Sequence, residues 1–293
     1  MATRPHFTWQ LRSRRLTLGE RTLVMGIVNV TPDSFSDGGQ FEDSRTAINH
    51  ALSLLDEGAD IIDVGGESTR PGKKAKITAQ QELDRVMPVI EGIRKARPGA
   101  IISIDTYRSG TALAAIEAGV EIVNDVSAMR WDTAMSLIVM EERPGVILMH
   151  MRGQPEEWRT LPRIPAEELL LVVKTELAQW ADDALGAGVN RDQIVLDPGF
   201  GFGKNFDENY PLLAHFHELH ALGFPILSGT SRKSFIGRTL ADHGKDARVS
   251  ERLNGTLATV VASVLQGAHI VRVHDVKAAV QACRVADGIL AAS

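Results

Sequence analysis

One pattern repeats along most of this chain: a short apolar strand, a polar turn, then an amphipathic helix. Glycine follows several of the predicted helices, which is a common helix C-cap signal. Eight such units fit a closed (β/α)₈ barrel, an α/β fold, better than an open sheet. The predicted strands are 22–30, 59–65, 100–105, 121–125, 146–150, 193–197, 225–229 and 269–274. The predicted helices are 44–57, 78–96, 109–118, 132–141, 165–187, 209–222, 251–266 and 275–291.

The segment before the first strand has a different pattern. Residues 7–18 alternate between apolar and polar around a basic turn at 13–15, which predicts a β-hairpin. We expect this hairpin to close the bottom of the barrel. Because no linker composition interrupts the repeats, residues 1–293 are predicted to form one domain.

Composition narrows the classes of partner. A net charge of −5 provides no general basic field for nucleic acid or anionic lipid, so any anion site must be built locally. The N-terminus lacks the apolar core of a signal peptide, and no stretch is long and apolar enough to span a bilayer. Cys283 is the only cysteine, which excludes an intramolecular disulfide and a cysteine zinc site. These features predict a cytoplasmic protein without a nucleic-acid or membrane partner.

Polar side chains stand at the carboxyl end of almost every predicted strand, the edge where barrel enzymes carry their active sites. Any one of them is equally well explained as a cap of the following helix. Because so many helix caps at one edge are not expected, the sequence predicts that these residues form a single functional site. The residues are Asn29, Asp63, Asp105, Asn124, Asp125, His150, Asp197, Lys233, Arg272 and His274.

The last strand predicts an anion site. Strand alternation places Arg272 and His274 on one side and Val273 on the other. In a closed barrel Asn29 lies on the adjoining strand, so a diphosphate and Mg²⁺ are expected to bind together there, since Mg²⁺ shares its ligands with phosphates. The alternative is a buried histidine with a backbone partner.

Two glycine-containing segments predict close approach to a ligand. In LDPGFGFGK, Asp197 precedes backbone that brings Phe202 to the rim. Asp105 and Asn124 add a carboxylate and an amide suited to the edge of a nitrogen heterocycle. The loop GGESTRPGKK, residues 65–74, supplies hydroxyls and a cation, although a solvated surface loop is the alternative.

These segments resemble the dihydropteroate synthases of folate biosynthesis over essentially the whole chain. In order, the shared motifs are GIVNVTPDSFSDGG, GADIIDVGGESTRPG, SIDT, NDVSA, LMHMRG, LDPGFGFGK, GTSRKSFIG, GTLATV and IVRVHD. So many separated motifs make the resemblance very specific, unlike a single glycine-rich loop.

The resemblance implies a role for each matching position. Asn29 would bind Mg²⁺, whereas Arg272 and His274 would bind the diphosphate. The pterin would be held by Asp105, Asn124, Asp197 and Lys233, with Thr69 at its diphosphate-bearing end. The p-aminobenzoate pocket, where sulfonamides also bind, would consist of Phe35, Arg70, Pro71, Phe202, Lys233 and Ser234.

The implied reaction joins 6-hydroxymethyl-7,8-dihydropterin diphosphate to p-aminobenzoate by an SN1-like, Mg²⁺-dependent substitution. Its catalytic residues would be Asp33, Asp105, Lys233, Arg272 and His274, with the two aspartates stabilising the cation. The resemblance also implies a homodimer. Two alternatives are a methyltetrahydrofolate methyltransferase barrel, which needs neither SRKSF nor a diphosphate clamp, and an inactive pterin-binding paralogue.

Overall fold

A computed structural model describes residues 4–30, 40–67, 77–158 and 160–292. Eight parallel strands form a nearly closed barrel with helices around it, which confirms the predicted fold. They are β3 Leu23–Asn29, β4 Ile61–Gly65, β5 Ile101–Asp105, β6 Ile122–Asp125, β7 Gly145–Met149, β8 Ile194–Asp197, β9 Leu227–Ser228 and β10 Ile270–Val273. The hydrogen-bonded order is β8-β7-β6-β5-β4-β3-β10-β9, and a bridge between Leu196 and Ile226 brings the two ends together.

The helices cover the outside of the barrel and bury its apolar outer face. They are α1 Gln40–Asp56, α2 Ala79–Ala96, α3 Ser109–Glu117, α4 Met135–Glu142, α5 Ala166–Gly186, α6 Asn209–Ala214, α7 Ser234–Thr239, α8 Leu253–Leu265 and α9 Val276–Ala291. No helix in the described ranges is long and apolar enough to cross a membrane.

Two helical segments differ from the sequence prediction. The helix predicted at 209–222 is α6 followed by a 3₁₀ helix, Phe216–Leu222. Its apolar side chains Leu213, Phe216, Leu219 and Leu222 recur every third residue, which is the period of a 3₁₀ helix. The short helix α7 was not predicted, because six residues are too few to show a helical period.

The glycines that end the predicted helices adopt the expected backbone conformation. All have positive φ, from 72° at Gly223 to 103° at Gly58, a region that side chains with a Cβ rarely enter. These residues turn the chain from the helical layer back into the barrel.

The N-terminal hairpin closes the barrel at the end opposite the strand carboxyl termini, as predicted. Its strands are β1 Phe7–Gln10 and β2 Arg15–Leu18. Trp9, Leu11 and Leu18 are fully buried and pack in one cluster with Met25, Ile61 and other early residues of the barrel strands. The indole Nε1 of Trp9 donates to the backbone oxygen of Gln193 over 2.8 Å.

We expect Trp9→Ala to lower the free energy of unfolding by about 3–5 kcal/mol, because it leaves a cavity under the barrel. Substrate KM values should stay unchanged, since the indole lies at the far end from the strand carboxyl termini. Urea unfolding and steady-state kinetics measure both. Leu171→Ala, at a side chain that is 66% exposed, is the control. A loss below about 1 kcal/mol would contradict the role of Trp9.

Candidate active site

A cavity of about 640 Å³ opens at the carboxyl ends of the barrel strands. Its lining brings together most of the described residues that the sequence predicts for the site: Asn29, Asp105, Phe202, Lys233, Ser234, Arg272 and His274. Asn124 and Asp197 stand at the ends of β6 and β8 and are 4% and 6% exposed. Asp33, Phe35, Thr69, Arg70 and Pro71 lie outside the described residues.

One wall of the cavity is organised by Arg272. Its Nε donates to Oδ2 of Asp63, and its Nη2 donates to Oδ2 of Asp105, each over 2.6 Å. The amide of Asn124 donates to the same Asp63 oxygen over 3.0 Å. The charges of Asp63 and Asp105 together raise the pKa of Arg272 although burial alone would lower it. The predicted cation and two of the predicted pterin ligands are therefore held in one network.

The second anion-site residue is oriented by a serine. The hydroxyl of Ser231 accepts from the backbone N–H of His274 over 3.2 Å and lies 3.0 Å from the ring Nδ1. The two contacts of Ser231 fix the orientation of the His274 ring relative to the strand end. Val273 is buried in the core behind the strand, as strand alternation predicts.

Asp105 has an unusual acidity. Burial raises its pKa to about 7; the charge of Arg272 opposes this rise and the charge of Asp63 adds to it. Two carboxylates share one guanidinium here, so the wall takes up a proton more readily than an ordinary ion pair does.

A raised carboxyl pKa makes the fold lose stability as pH increases. The unfolded chain releases this proton at a pH of about 4, whereas the folded chain holds it to about pH 7. The stabilisation is thus fully present below about pH 4 and is lost as pH rises through 7. Asp105→Asn should flatten this part of the pH profile of unfolding free energy.

Urea titrations at a series of pH values measure the effect of Asp105→Asn. Asp182→Asn, on the exposed face of α5, is the control and should keep the wild-type slope. Parallel profiles for wild type and Asp105→Asn would show that the pKa of Asp105 is not raised.

A second wall of the cavity carries an aromatic and cationic pair. The Nζ of Lys233 lies 3.9 Å from the centre of the Phe202 ring, a cation–π contact. Trp158 meets the same ring edge-on with centroids 5.4 Å apart. Ser234 follows Lys233 at the start of α7. This wall offers a flat apolar surface next to a positive charge, which suits an aromatic carboxylate.

Asp197 lies close enough to both walls for the charges of Lys233 and Arg272 to oppose the rise that burial causes in its pKa. Its Oδ1 accepts the backbone N–H of Gly199 over 2.7 Å, and a Cβ on the lining residue Gly229 would lie 3.7 Å from its Oδ2. Burial raises the pKa of Asp197, and the Gly199 N–H and Lys233 oppose that rise. One carboxylate oxygen is therefore held by the loop, and the other lies towards the cavity wall.

Two residues that were predicted at the rim have structural roles outside the cavity lining instead. The carboxylate of Asp125 accepts from Ser127 and from the backbone N–H of Met129, so it fixes the turn after β6. His150 is fully buried and its ring stacks on Trp180. Asp125 is adjacent to Asn124 in β6, and strand alternation sends these two side chains to opposite faces.

Comparison with known proteins assigns the family. The sequence profile described as "Pterin binding enzyme" matches residues 25–274. The dihydropteroate synthase of Synechocystis is 43% identical over 92% of this chain and 91% of its own length. The chain belongs to the dihydropteroate synthase family. It is a transferase of that family.

Solved structures agree with this family assignment. The Xanthomonas albilineans dihydropteroate synthase with 4-aminobenzoic acid superposes with a TM-score of 0.88 at 39% identity, covering 98% of this chain and 99% of its own. The Yersinia pestis dihydropteroate synthase in a sulfonamide drug complex gives 0.88 at 38% identity, covering 98% and 100%. Of the alternatives, the methyltetrahydrofolate methyltransferase barrel is therefore not supported.

Sequence reasoning gave no role to several residues that the structure places at the site. Asp63 appeared only among the polar strand ends, although it is the centre of the Arg272 network. Glu67, Lys204 and Ser231 also line the cavity. Strand alternation in β4 could have indicated a role for Asp63, which pairs in register with Ser103 of β5.

Proposed function

We propose that this cavity joins 6-hydroxymethyl-7,8-dihydropterin diphosphate to p-aminobenzoate, giving 7,8-dihydropteroate and diphosphate. One observation carries the assignment of sites. Arg272 and His274 line the same cavity as Asp105 and the Lys233 and Phe202 pair. An anion site and an aromatic carboxylate site within one cavity match the two substrates of the family reaction.

Arg272 and His274 are proposed to hold the diphosphate. Within the described ranges, no hydrogen bond uses Nη1 of Arg272, so this group is available to a phosphate oxygen. His274 lines the same cavity beside Arg272 and is held at Nδ1 by Ser231. Donors fixed before the reaction stabilise the negative charge that develops on the leaving group without reorganising.

Asn29 is proposed to contribute the protein ligand for Mg²⁺. The described residues contain no group of three His, Cys, Asp or Glu side chains placed to hold a metal, which argues against an all-protein cage there. Asn29 lines the cavity and offers one neutral oxygen, which fits an ion that keeps waters and shares substrate phosphates. When bound, Mg²⁺ neutralises charge on the diphosphate.

Asn29→Leu is expected to raise the Mg²⁺ concentration for half-maximal activity by on the order of 10-fold or more. Removing divalent ions with a chelator should abolish turnover in both proteins. Activity measured across a Mg²⁺ titration tests this expectation. Asn190→Leu, at the start of a 3₁₀ turn before β8, is the control. An unchanged Mg²⁺ requirement in Asn29→Leu would reject Asn29 as a ligand.

The carbon–oxygen bond is proposed to break before the amine attacks. Departure of diphosphate leaves a methylene cation conjugated with the dihydropterin ring, and Asp105 together with Asp33 is assigned to stabilise it. The arylamine is neutral at pH 7, so its nitrogen forms the new bond to the methylene carbon without a strong base and then releases one proton to solvent. Phe202 and Lys233 are assigned to orient the amine substrate through its ring and its carboxylate, with Ser234, Phe35, Arg70 and Pro71.

The pterin is assigned to Asp197, Asn124, Asp105 and Lys233, with Thr69 at the diphosphate-bearing end. Asp197 supplies a carboxylate for ring N–H donors, and Asn124 is oriented by Asp63. Sulfonamides are expected to occupy the p-aminobenzoate site, as competitors of that substrate.

An assay for diphosphate release tests the function and the mechanism together. With both substrates and Mg²⁺, we expect dihydropteroate and diphosphate in equal amounts. A slower release without p-aminobenzoate is expected from the SN1-like path, and its absence under all conditions would favour a concerted displacement. No release with both substrates would indicate the inactive pterin-binding paralogue.

We further propose that residues 1–293 form one domain and that the protein acts as a cytoplasmic homodimer. The uninterrupted series of barrel units supports a single domain. The buried single thiol of Cys283 suits a reducing compartment. Sedimentation equilibrium measures the oligomeric state.

A further inference from the structure

Lys204 is a buried lysine at the end of the glycine-rich loop after β8. It is only 6% exposed. Its Nζ lies 2.9 Å from Nδ1 of His150 and donates to the backbone oxygen of Gly199 over 2.9 Å. The backbone oxygens of Phe202 and His150 are within 3.3 Å and 3.4 Å. An ammonium group has three protons and no acceptor, so this set of acceptors matches its charged form.

His150 links Lys204 to the outer helix. Because Nδ1 accepts from Lys204, the ring proton is on Nε2, and Nε2 donates to Glu176 of α5 over 2.9 Å. Burial and the charge of Lys204 lower the pKa of His150 to about 3, so the ring is neutral. Trp180 stacks on this ring, with centroids 5.2 Å apart. The ammonium group is therefore tied to a rigid part of the barrel wall.

The backbone groups that accept from Lys204 belong to residues that contact Asp197 and Lys233. Gly199 accepts from Lys204 and also donates to the Asp197 carboxylate. Phe202, whose carbonyl is a further acceptor, carries the ring beneath Lys233. A Cβ on Gly199 would collide with the His150 carbonyl oxygen, so this loop lies directly on the preceding one.

Placing an ammonium group here has an energetic cost. Burial lowers the pKa of Lys204 to about 7, although the charge of Asp197 opposes that change. An apolar side chain would fill the same space without desolvating a charge. The contacts to the loop carbonyls give a reason for a lysine at this position.

We propose that Lys204 is a positioning residue that holds the loop from Gly199 to Gly203, so that Asp197 faces the pterin and Phe202 faces p-aminobenzoate. His150 and Glu176 hold Lys204 in turn. The proposal rests on the proposed function for the identity of the two substrates. Lys204 acts through the loop, because its Nζ is held by the backbone oxygens of Gly199 and Phe202.

Lys204→Met tests the proposal, because it keeps the length of the side chain and removes its donors. We expect KM to rise about 10-fold for both substrates, with a smaller change in kcat. A residue that served stability alone would reduce the amount of folded enzyme and leave both KM values unchanged. Lys174→Met is the matched control. Lys174 lies on the same helix as Glu176, and its ion pair with Glu218 on the surface is long at 4.0 Å. This variant should behave as wild type.

Glu176→Gln extends the test in case Lys204→Met does not fold. The Glu176 side chain is 43% exposed, so its replacement should be tolerated, and we expect a rise of about 3-fold in both KM values. NMR of the imidazole nitrogens gives a readout that does not need turnover. Wild type should show a neutral His150 ring whose Nδ1 accepts a hydrogen bond, and in Lys204→Met the Nδ1 resonance should shift because that nitrogen loses its donor.

The outcomes separate this inference from the proposed function. If wild-type enzyme produces no dihydropteroate, the function fails, and the NMR result still reports on the Lys204 contact. KM values within twofold of wild type in Lys204→Met would overturn the positioning role. If that variant does not fold, unchanged KM values in Glu176→Gln would overturn it.

Discussion

Arg272→Met should nearly abolish turnover and also strongly destabilise the fold. The variant leaves Asp63, which is fully buried, and Asp105 without their shared cation. Removing one partner of a buried ion pair costs about 3–5 kcal/mol of unfolding free energy. Loss of the fixed positive charge beside the leaving diphosphate should lower kcat by roughly 10²–10³-fold. Calorimetry and steady-state kinetics measure the two effects.

A surface ion pair of similar geometry is the control for Arg272→Met. Arg21 bonds both oxygens of Asp60 through a side chain that is 59% exposed. Arg21→Met should cost less than about 1 kcal/mol and leave the kinetics unchanged. The destabilisation of Arg272→Met should shrink at lower pH, because Asp105 is then protonated. A stability loss that is equal at pH 5 and pH 8 would contradict the shared-cation network.

Asp197→Asn should selectively weaken binding of the dihydropterin substrate. The replacement has nearly the same shape, so the loop hydrogen bond from Gly199 can persist. A hydrogen bond to a charged group is worth about 1.5–3 kcal/mol, so KM for the dihydropterin diphosphate should rise by roughly 10²-fold. KM for p-aminobenzoate should change by only a few-fold. Initial-rate kinetics with each substrate varied in turn provide the measurement.

Asp125→Asn is the matched control for Asp197→Asn. It is an equally buried carboxylate at the end of a barrel strand, but it binds the turn at Ser127 and Met129. This variant should lose about 1–3 kcal/mol of stability and keep both KM values. An unchanged dihydropterin KM in Asp197→Asn would refute the pterin role.

The barrel was predictable because each unit carries its own local signals. Apolar runs, helical periods and the glycines after helices act over short distances in the chain. The bounds of α6 were not predictable, because apolar residues spaced by three suit either helix type. The short helix α7 gave no period at all.

The position of the site was also predictable, but the pairing of its residues was not. Strand alternation placed Arg272 and His274 on one side, because side-chain direction in a strand depends only on position. It did not show that Asp63 holds both Arg272 and Asn124, since 209 positions separate Asp63 and Arg272 along the chain. Similarly, His150 looked like a site residue until its stacking on Trp180 was known.

The sequence by itself determined the eight-unit barrel, the edge that carries the chemistry and the family to which the chain belongs. Only the tertiary structure decided which charges share partners: Asp105 with Arg272, and Lys204 with His150. The reason is that hydrogen bonds and desolvation depend on distances of a few ångströms between remote segments. Local pattern fixes secondary structure, whereas the raised pKa values of Asp105 and Asp197 arise only when the strands assemble into the barrel.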